Sequence, residues 1–181
     1  MLTKILREGV TAGGAGVVAM TVLEKVEQRL TARPDSHVPA RVLERLTGTE
    51  DHVGGRLRVW NLAMHYGQGV ALGPLRSLMA HAGLRGPVSS AKFAVVRLTN
   101  DQVLENLTGV GAPPQTWPRR ELVVDLLHKA AYAMVTGLVA DALAARSGPG
   151  PGQVHASAAE RRAGVGPVPR AGTAAPEAAH P

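Results

Sequence analysis

The sequence predicts an all-α fold, a small membrane-embedded bundle of about four helices with one short amphipathic helix and a disordered C-terminal tail. Three observations predict it. Long runs carry no charge, small residues recur four apart inside those runs, and hydrophobic residues make up 45% of the chain while aromatics make up only 3%. Apolar content drawn from Ala, Val, Leu and Gly suits helices that pack closely through small side chains. The chain has 181 residues, enough for one helical membrane domain over 1–146 and a tail over 147–181.

The first helix is built on Gly9 to Leu23, fifteen residues without a charge, and continues to about Leu30 through Val26. Fifteen is short of the ~18 that mark a clear span, so the content matters more than the length. Gly9 and Gly13, Ala12 and Gly16, and Ala15 and Ala19 are each four apart, which gives one face a groove where a neighbouring backbone can approach. In water each such glycine costs about 1 kcal/mol of helix stability relative to Ala, so close packing must offset it. The charged start followed by an apolar run has the pattern of a signal peptide, but without a convincing cleavage site it reads as a retained helix. Gly13 is expected to face a neighbour and Val17 to point outward.

Pro34 and Pro39 stop the first helix, and Ser36 is the expected N-cap of a short amphipathic helix reaching about Thr47. The next long helix, Arg58 to about Leu84, has no fixed charge from Val59 to Leu75 and is the best span candidate. Ala63, Gly67 and Ala71 form one small-residue row on it, Gly69 and Gly73 another. A further helix from Ser89 or Ser90 to about Leu107 is amphipathic: it carries Phe93, Val96, Val103, Leu104 and Leu107, with Lys92, Arg97, Asp101 and Glu105 among them. It can cross a bilayer or lie on its surface. The last long helix runs from near Pro118 to about Arg146, with Ala133 and Gly137 as its small pair. Beyond Ser147 the chain is rich in Gly, Pro and Ala and too poor in large apolar groups to offset ordering entropy, so disorder is expected to Pro181.

The formal net charge of +6 comes from Lys and Arg flanking apolar runs, not from a continuous basic strip with interleaved aromatics. That distribution fits membrane flanks and argues against nucleic acid. The positive-inside rule leaves orientation open, since both sides of the expected bundle carry several basic residues. With no cysteine, disulfides, thiolate metal sites and a cysteine nucleophile are excluded. Gly13-Gly-Ala-Gly16 and Gly109-Val-Gly111 lack the strand and the Lys-Ser/Thr ending of a phosphate loop, and no nucleophile elbow occurs.

Polar residues inside apolar helices are the remaining candidates for chemistry. Asn61, His65 and Gln68 share a face of the second long helix, and Asp125, His128 and Tyr132 form a comparable row on the last. Facing each other, the two rows would make an interior polar cluster, read either as structural hydrogen bonding between helices or as a proton relay or metal site. The Glu-x-x-His spacing of a di-iron bundle is absent, and Glu24 and Glu27 read as a solvated helix end. Gly9, Gly13, Gly16, Gly67 and Gly137 are the expected helix-packing positions.

Three places together resemble the YagU-like family of small bacterial inner-membrane proteins. They are Ala12-Gly-Gly-Ala-Gly-Val-Val18 leading to Glu24 and Arg33-Pro34; Asn61 with His65; and Gly111-Ala-Pro-Pro114, Trp117-Pro118 and Glu121 followed by His128. The chain departs from that pattern in its few aromatics, its more charged third long helix and its long Pro/Ala tail. The resemblance implies an inner-membrane location and this architecture rather than an activity. The expectation is therefore a non-enzymatic polytopic protein of the bacterial inner membrane, with no catalytic residues, no metal and no cofactor. Its partners would be the lipid bilayer and either a second copy or another membrane protein. Two alternatives stand beside it: a soluble or peripheral helical protein that binds a partner through its glycine-rich first helix, and a membrane protein that handles protons or a metal through the two histidines.

Overall fold

The computed structural model describes residues 1–49 and 53–160, and among these there is no strand. The elements are α1 (Leu2–Thr31), α2 (Val38–Thr47), α3 (Gly54–Ala82), α4 (Pro87–Thr108), a 3-10 turn (Pro114–Thr116), α5 (Arg119–Ala145) and α6 (Pro151–Glu160). Four long helices run alternately up and down, and α1 packs against both α3 and α5 while α4 packs mainly on α5. The short α2 sits at one end of the bundle and α6 at the other. Gly83 and Gly109 terminate α3 and α4 in the left-handed conformation, at φ 101° and 68°, where residues other than glycine are strained.

Glycines decide how the helices meet. A Cβ placed on Gly13 would lie 2.7 Å from the Gly69 carbonyl oxygen and 3.1 Å from Gly73 Cα, so α1 and α3 touch backbone to backbone. Gly9 meets Gly73 and Pro74 in the same way. Pro74 lies inside α3 and has no N–H to give, which leaves the Val70 carbonyl without its helical donor; that oxygen too faces Gly13. Gly16 turns to the other side and packs on Tyr132 and Thr136 of α5, and Gly137 of α5 meets Ser90 of α4.

Gly67 corrects the expected packing set. It is exposed, with open space where a side chain would go, and so are Ala63 and Ala71 of its row. The row of Gly69 and Gly73 is the one used, because only it lies opposite the glycines of α1. Val17 is corrected for the same reason: it is fully buried, its side chain filling the space that Gly69 leaves, rather than pointing outward.

Many large apolar side chains face outward around two small cores. Val17, Met20, Phe93, Tyr132 and Ala133 form one small core, and four alanines, Ala12, Ala80, Ala140 and Ala144, form a second. The largest fully buried side chain is Arg76. On α4 the expected amphipathy is inverted: Arg97 and Asp101 are buried, whereas Val103 and Leu107 are 49% and 81% exposed. Val123, Leu127 and Leu138 of α5 also point outward.

Of the described helices, α1 and α5 are long and apolar enough to cross a membrane. The expected best span, α3, is not among them: Asn61, His65, Gln68 and several glycines dilute the apolar content of its uncharged stretch, and Arg56, Arg58 and Arg76 flank that stretch. The tail needs correcting as well. Residues 151–160 form α6, and Gly150 and Gly152 pack against the end of α3 near Gly83. Arg85 donates to the Gly148 carbonyl at 2.9 Å and Lys4 to the Ser147 hydroxyl at 2.6 Å, so the bundle extends past residue 146. The part of the expected disordered tail from 161 onward lies outside the described residues.

Candidate functional site

At the α2 end, the inner faces of α1, α3, α4 and α5 diverge around a cleft of about 430 Å³, with α2 and the 110–118 turn around its mouth. Helix ends create it. Gly109 stops α4, the prolines at 113, 114 and 118 keep the following segment out of helix until α5 begins, and α2 folds back over α3. Into this space project residues whose charges would be costly in an apolar core without partners.

The deepest part is a charge network. Asp101 accepts from Arg97 Nε at 3.1 Å and from Gln68 Nε2 at 2.6 Å, and Lys129 Nζ approaches it at 3.4 Å. Lys129 also bonds Asp125 one turn earlier on α5. The Arg97 guanidinium stacks over the Tyr132 ring at 5.1 Å, and the Tyr132 hydroxyl donates to the Gly69 carbonyl at 2.6 Å. One buried network thus joins α3, α4 and α5, and α1 covers it with Val17 and Met20.

His65 and His128 both line this cleft. Thr21 Oγ1 lies 2.8 Å from the Val17 carbonyl and 2.9 Å from His65 Nε2. With the hydroxyl proton donated to the carbonyl, His65 is the Nε2–H tautomer donating to Thr21. His128 is 9% exposed and has no hydrogen-bond partner among the described residues. Gln68 and Asp125 line the same cleft, so four of the six residues expected in an interior cluster are brought together there. Tyr132 belongs to the network above it.

Asn61 is the exception. Its Oδ1 accepts the Ala40 N–H at 3.1 Å and its Nδ2 donates to the Ser36 carbonyl at 3.0 Å, so it pins the start of α2 instead of joining the histidines. The expected capping by Ser36 is shared: His37 occupies the N-cap position without a side-chain bond, the Ser36 hydroxyl accepts the Val38 N–H at 3.4 Å, and Asn61 reaches from α3 to satisfy the Ala40 N–H of the same first turn. Asn61→Ala should cost about 1–2 kcal/mol locally. Limited proteolysis should then cut the 32–37 turn faster while the four long helices remain protected.

Comparison with family models, with curated proteins and with solved structures finds no match. What the cleft can do therefore rests on its own chemistry. Among the described residues no group of three or more His, Asp or Glu is arranged to hold a metal ion. Five carboxylates line the cleft, those of Glu24, Asp101, Glu105, Glu121 and Asp125, against three cations, those of Arg33, Arg97 and Lys129. At the rim Arg33 pairs with Glu27 at 3.0 Å and lies 3.9 Å from Glu121, which ties the end of α1 to the start of α5. Lys25 bonds Asp35 at 2.5 Å and holds that carboxyl below the usual range, fastening the loop to α1.

Sequence reading missed Arg97, Asp101 and Lys129 as parts of the site. A signal was available for the first two, since they are four apart and fall on the same face of α4 as Phe93 and Ser90, which are also buried. Lys129 adjoins His128 in sequence, but nothing local to it says that it turns inward.

Proposed function

We propose that this protein is a non-enzymatic integral membrane protein of the bacterial inner membrane, a member of the YagU-like family, whose cleft receives a polar group from the cytoplasmic side. The observation that carries the membrane reading is the inverted distribution of polarity. Only 33% of the most apolar 18-residue stretch of α1 and 28% of that of α5 is buried inside the bundle, whereas Arg76, Arg97, Asp101 and Lys129 are buried. A core helix of a water-soluble bundle hides its apolar face, and a helix in lipid turns it outward and keeps charge inside.

Orientation follows from the ends of the helices. Lys25, Arg29, Arg33, Arg41, Arg45, Arg56, Arg58, Arg119 and Arg120 gather at the α2 end, while among the described residues Lys4, Arg7, Arg85, Lys92 and Arg146 lie toward the other and Arg76 is paired inside with Asp141 at 3.0 Å. This asymmetry supports a reading with the α2 end and the cleft mouth in the cytoplasm. Binding, not catalysis, is the role this cleft suits. Asp101 and Asp125 are engaged with Arg97 and Lys129, and the Tyr132 hydroxyl is engaged with a backbone carbonyl.

The absence of cysteine makes the test clean. The protein should remain in the pellet after carbonate washing. In intact spheroplasts a membrane-impermeant maleimide should label Ser147→Cys and leave Thr47→Cys unlabelled until the membrane is opened. Recovery of the protein as a soluble monomer would overturn the membrane reading, and labelling of Thr47→Cys alone would reverse the orientation.

A further inference from the structure

A second cavity lies beside the cleft. It is a groove of about 710 Å³ between α4 and α5, on the outer side of the bundle at the same end, with Leu98, Val103, Leu107, Leu122 and Leu126 along it. Val103, Leu107 and Leu126 are 49%, 81% and 40% exposed, so the groove opens outward. It adjoins the cleft across a shared wall: Trp117 and Asp125 line both. An apolar channel on the lipid-facing side and a charged cleft inside the bundle therefore meet at two shared side chains.

Resting on the membrane reading above, we infer that the two cavities together bind one membrane amphiphile, an aminophospholipid, with an acyl chain in the α4–α5 groove and the amine-bearing headgroup in the cleft. The groove's apolar wall selects a chain, because an aliphatic chain satisfies its four leucines and Val103, which share the lining with Thr99, Gln102, Asn106 and Gln115. The cleft's chemistry selects the headgroup. Its lining carries two more carboxylates than cations, and Glu24 and Glu105 have no cation within ion-pairing distance among the described residues. The ammonium of a zwitterionic headgroup can face these carboxylates while the headgroup as a whole stays neutral, whereas a headgroup with net negative charge meets like charge.

His128 is the independent pointer. It is nine-tenths buried, lines the cleft, and has no hydrogen-bond partner among the described residues. Its ring nitrogens are open to the cleft rather than sealed in the core, and there a neutral ring nitrogen accepts from an ammonium N–H. The shared wall suits an amphiphile crossing from one cavity to the other: Trp117 offers a ring on the groove side, and its Nε1–H is already satisfied by the Ala112 carbonyl at 2.7 Å.

The test uses the full-length protein extracted into mild detergent and incubated with an equimolar mixture of phosphatidylethanolamine and phosphatidylglycerol bearing identical acyl chains. After washing, retained lipid is quantified by mass spectrometry. The ethanolamine lipid should be retained about tenfold over the glycerol lipid, the discrimination expected from one unfavourable charge contact. Val103→Trp, which fills the groove from its exposed side, should remove the excess retention, and Leu126→Trp gives the same readout if the first variant aggregates. Glu24→Gln should narrow the preference while leaving the chain bound. Equal retention of the two lipids, or preference for the glycerol lipid, overturns the inference. So does full competition by water-soluble phosphoethanolamine, which would mean that the headgroup suffices and the groove has no part. Failure of the carbonate test removes the membrane reading itself, whereas a membrane-retained protein without lipid selectivity removes only this inference.

Discussion

Gly13→Leu is expected to abolish the bundle, while Gly14→Leu leaves it intact. The two glycines are adjacent on α1, have the same helix propensity and carry the same substitution, so any difference belongs to packing. At Gly13 a Cβ alone would stand 2.7 Å from the Gly69 carbonyl oxygen and 3.0 Å from that of Val70, and the atoms in the way are backbone. Backbone cannot rotate aside as a flexible side chain can. The helices must separate, and the separation is transmitted to Gly9 against Gly73 and to Val17 against Gly69 along the same contact. Overpacking of a core typically costs 1–3 kcal/mol, and a wedge between two backbones should reach about 3 kcal/mol or more. At Gly14 nothing stands within 4 Å of the Cβ position, and the added leucine meets open space. The measurement is the fraction of protein that is monodisperse by size-exclusion in detergent, with the thermal midpoint of that fraction. Equal behaviour of the two variants would remove close packing as the cause of the fold.

That contrast also marks how far the sequence could be read. The glycine rows of α1 were legible because a residue repeated every four positions in an uncharged helix has few explanations other than a close neighbour. Which row of α3 would receive them was not legible. Gly67 and Gly69 are equivalent in composition, and only the rotation of α3 about its axis, set by its contacts with α1 and α5, turns Gly69 inward and Gly67 out. The same limitation explains α4. Its charges and its apolar residues were both visible, but water is the default surroundings for a charged face, so Arg97 and Asp101 were placed outside. Partners distant in sequence, Gln68 and Lys129, are what make the inward arrangement affordable. Asn61 was misplaced for a related reason: it shares a helix face with His65, yet a short loop brings the start of α2 within its reach. The helical end of the chain, α6, is rich in small residues and was read as tail, because its stabilising contacts are made by the backbone of Gly150 and Gly152 and leave no apolar stripe to detect.

Asp101→Ala should be the most damaging change in the cleft, and its damage should be repairable at a second position. Asp101 is 7% exposed and holds two buried cations, Arg97 at 3.1 Å and Lys129 at 3.4 Å, in addition to the Gln68 amide at 2.6 Å. Removing one carboxylate leaves an excess of positive charge where water is scarce, and breaking a buried pair by removing one partner costs about 3–5 kcal/mol. Lys129 keeps Asp125 as a partner, so the larger part of that cost falls on Arg97, whose remaining side-chain contacts are a 3.5 Å approach to Gln68 and the face of Tyr132. Adding Arg97→Met should therefore recover much of the lost stability, because a neutral, flexible chain of similar length removes the uncompensated charge and can still pack on the Tyr132 ring. Lys129→Met added to Asp101→Ala should recover less, since it leaves Asp125 unpaired. Thermal midpoints of the two single and two double variants in detergent decide the matter. If Asp101→Ala alone melts like the parent, the charges at the bottom of the cleft are solvated and the network does not hold α3, α4 and α5 together. If neither double variant recovers stability, the loss arises from the space that Asp101 fills and not from the cations it holds.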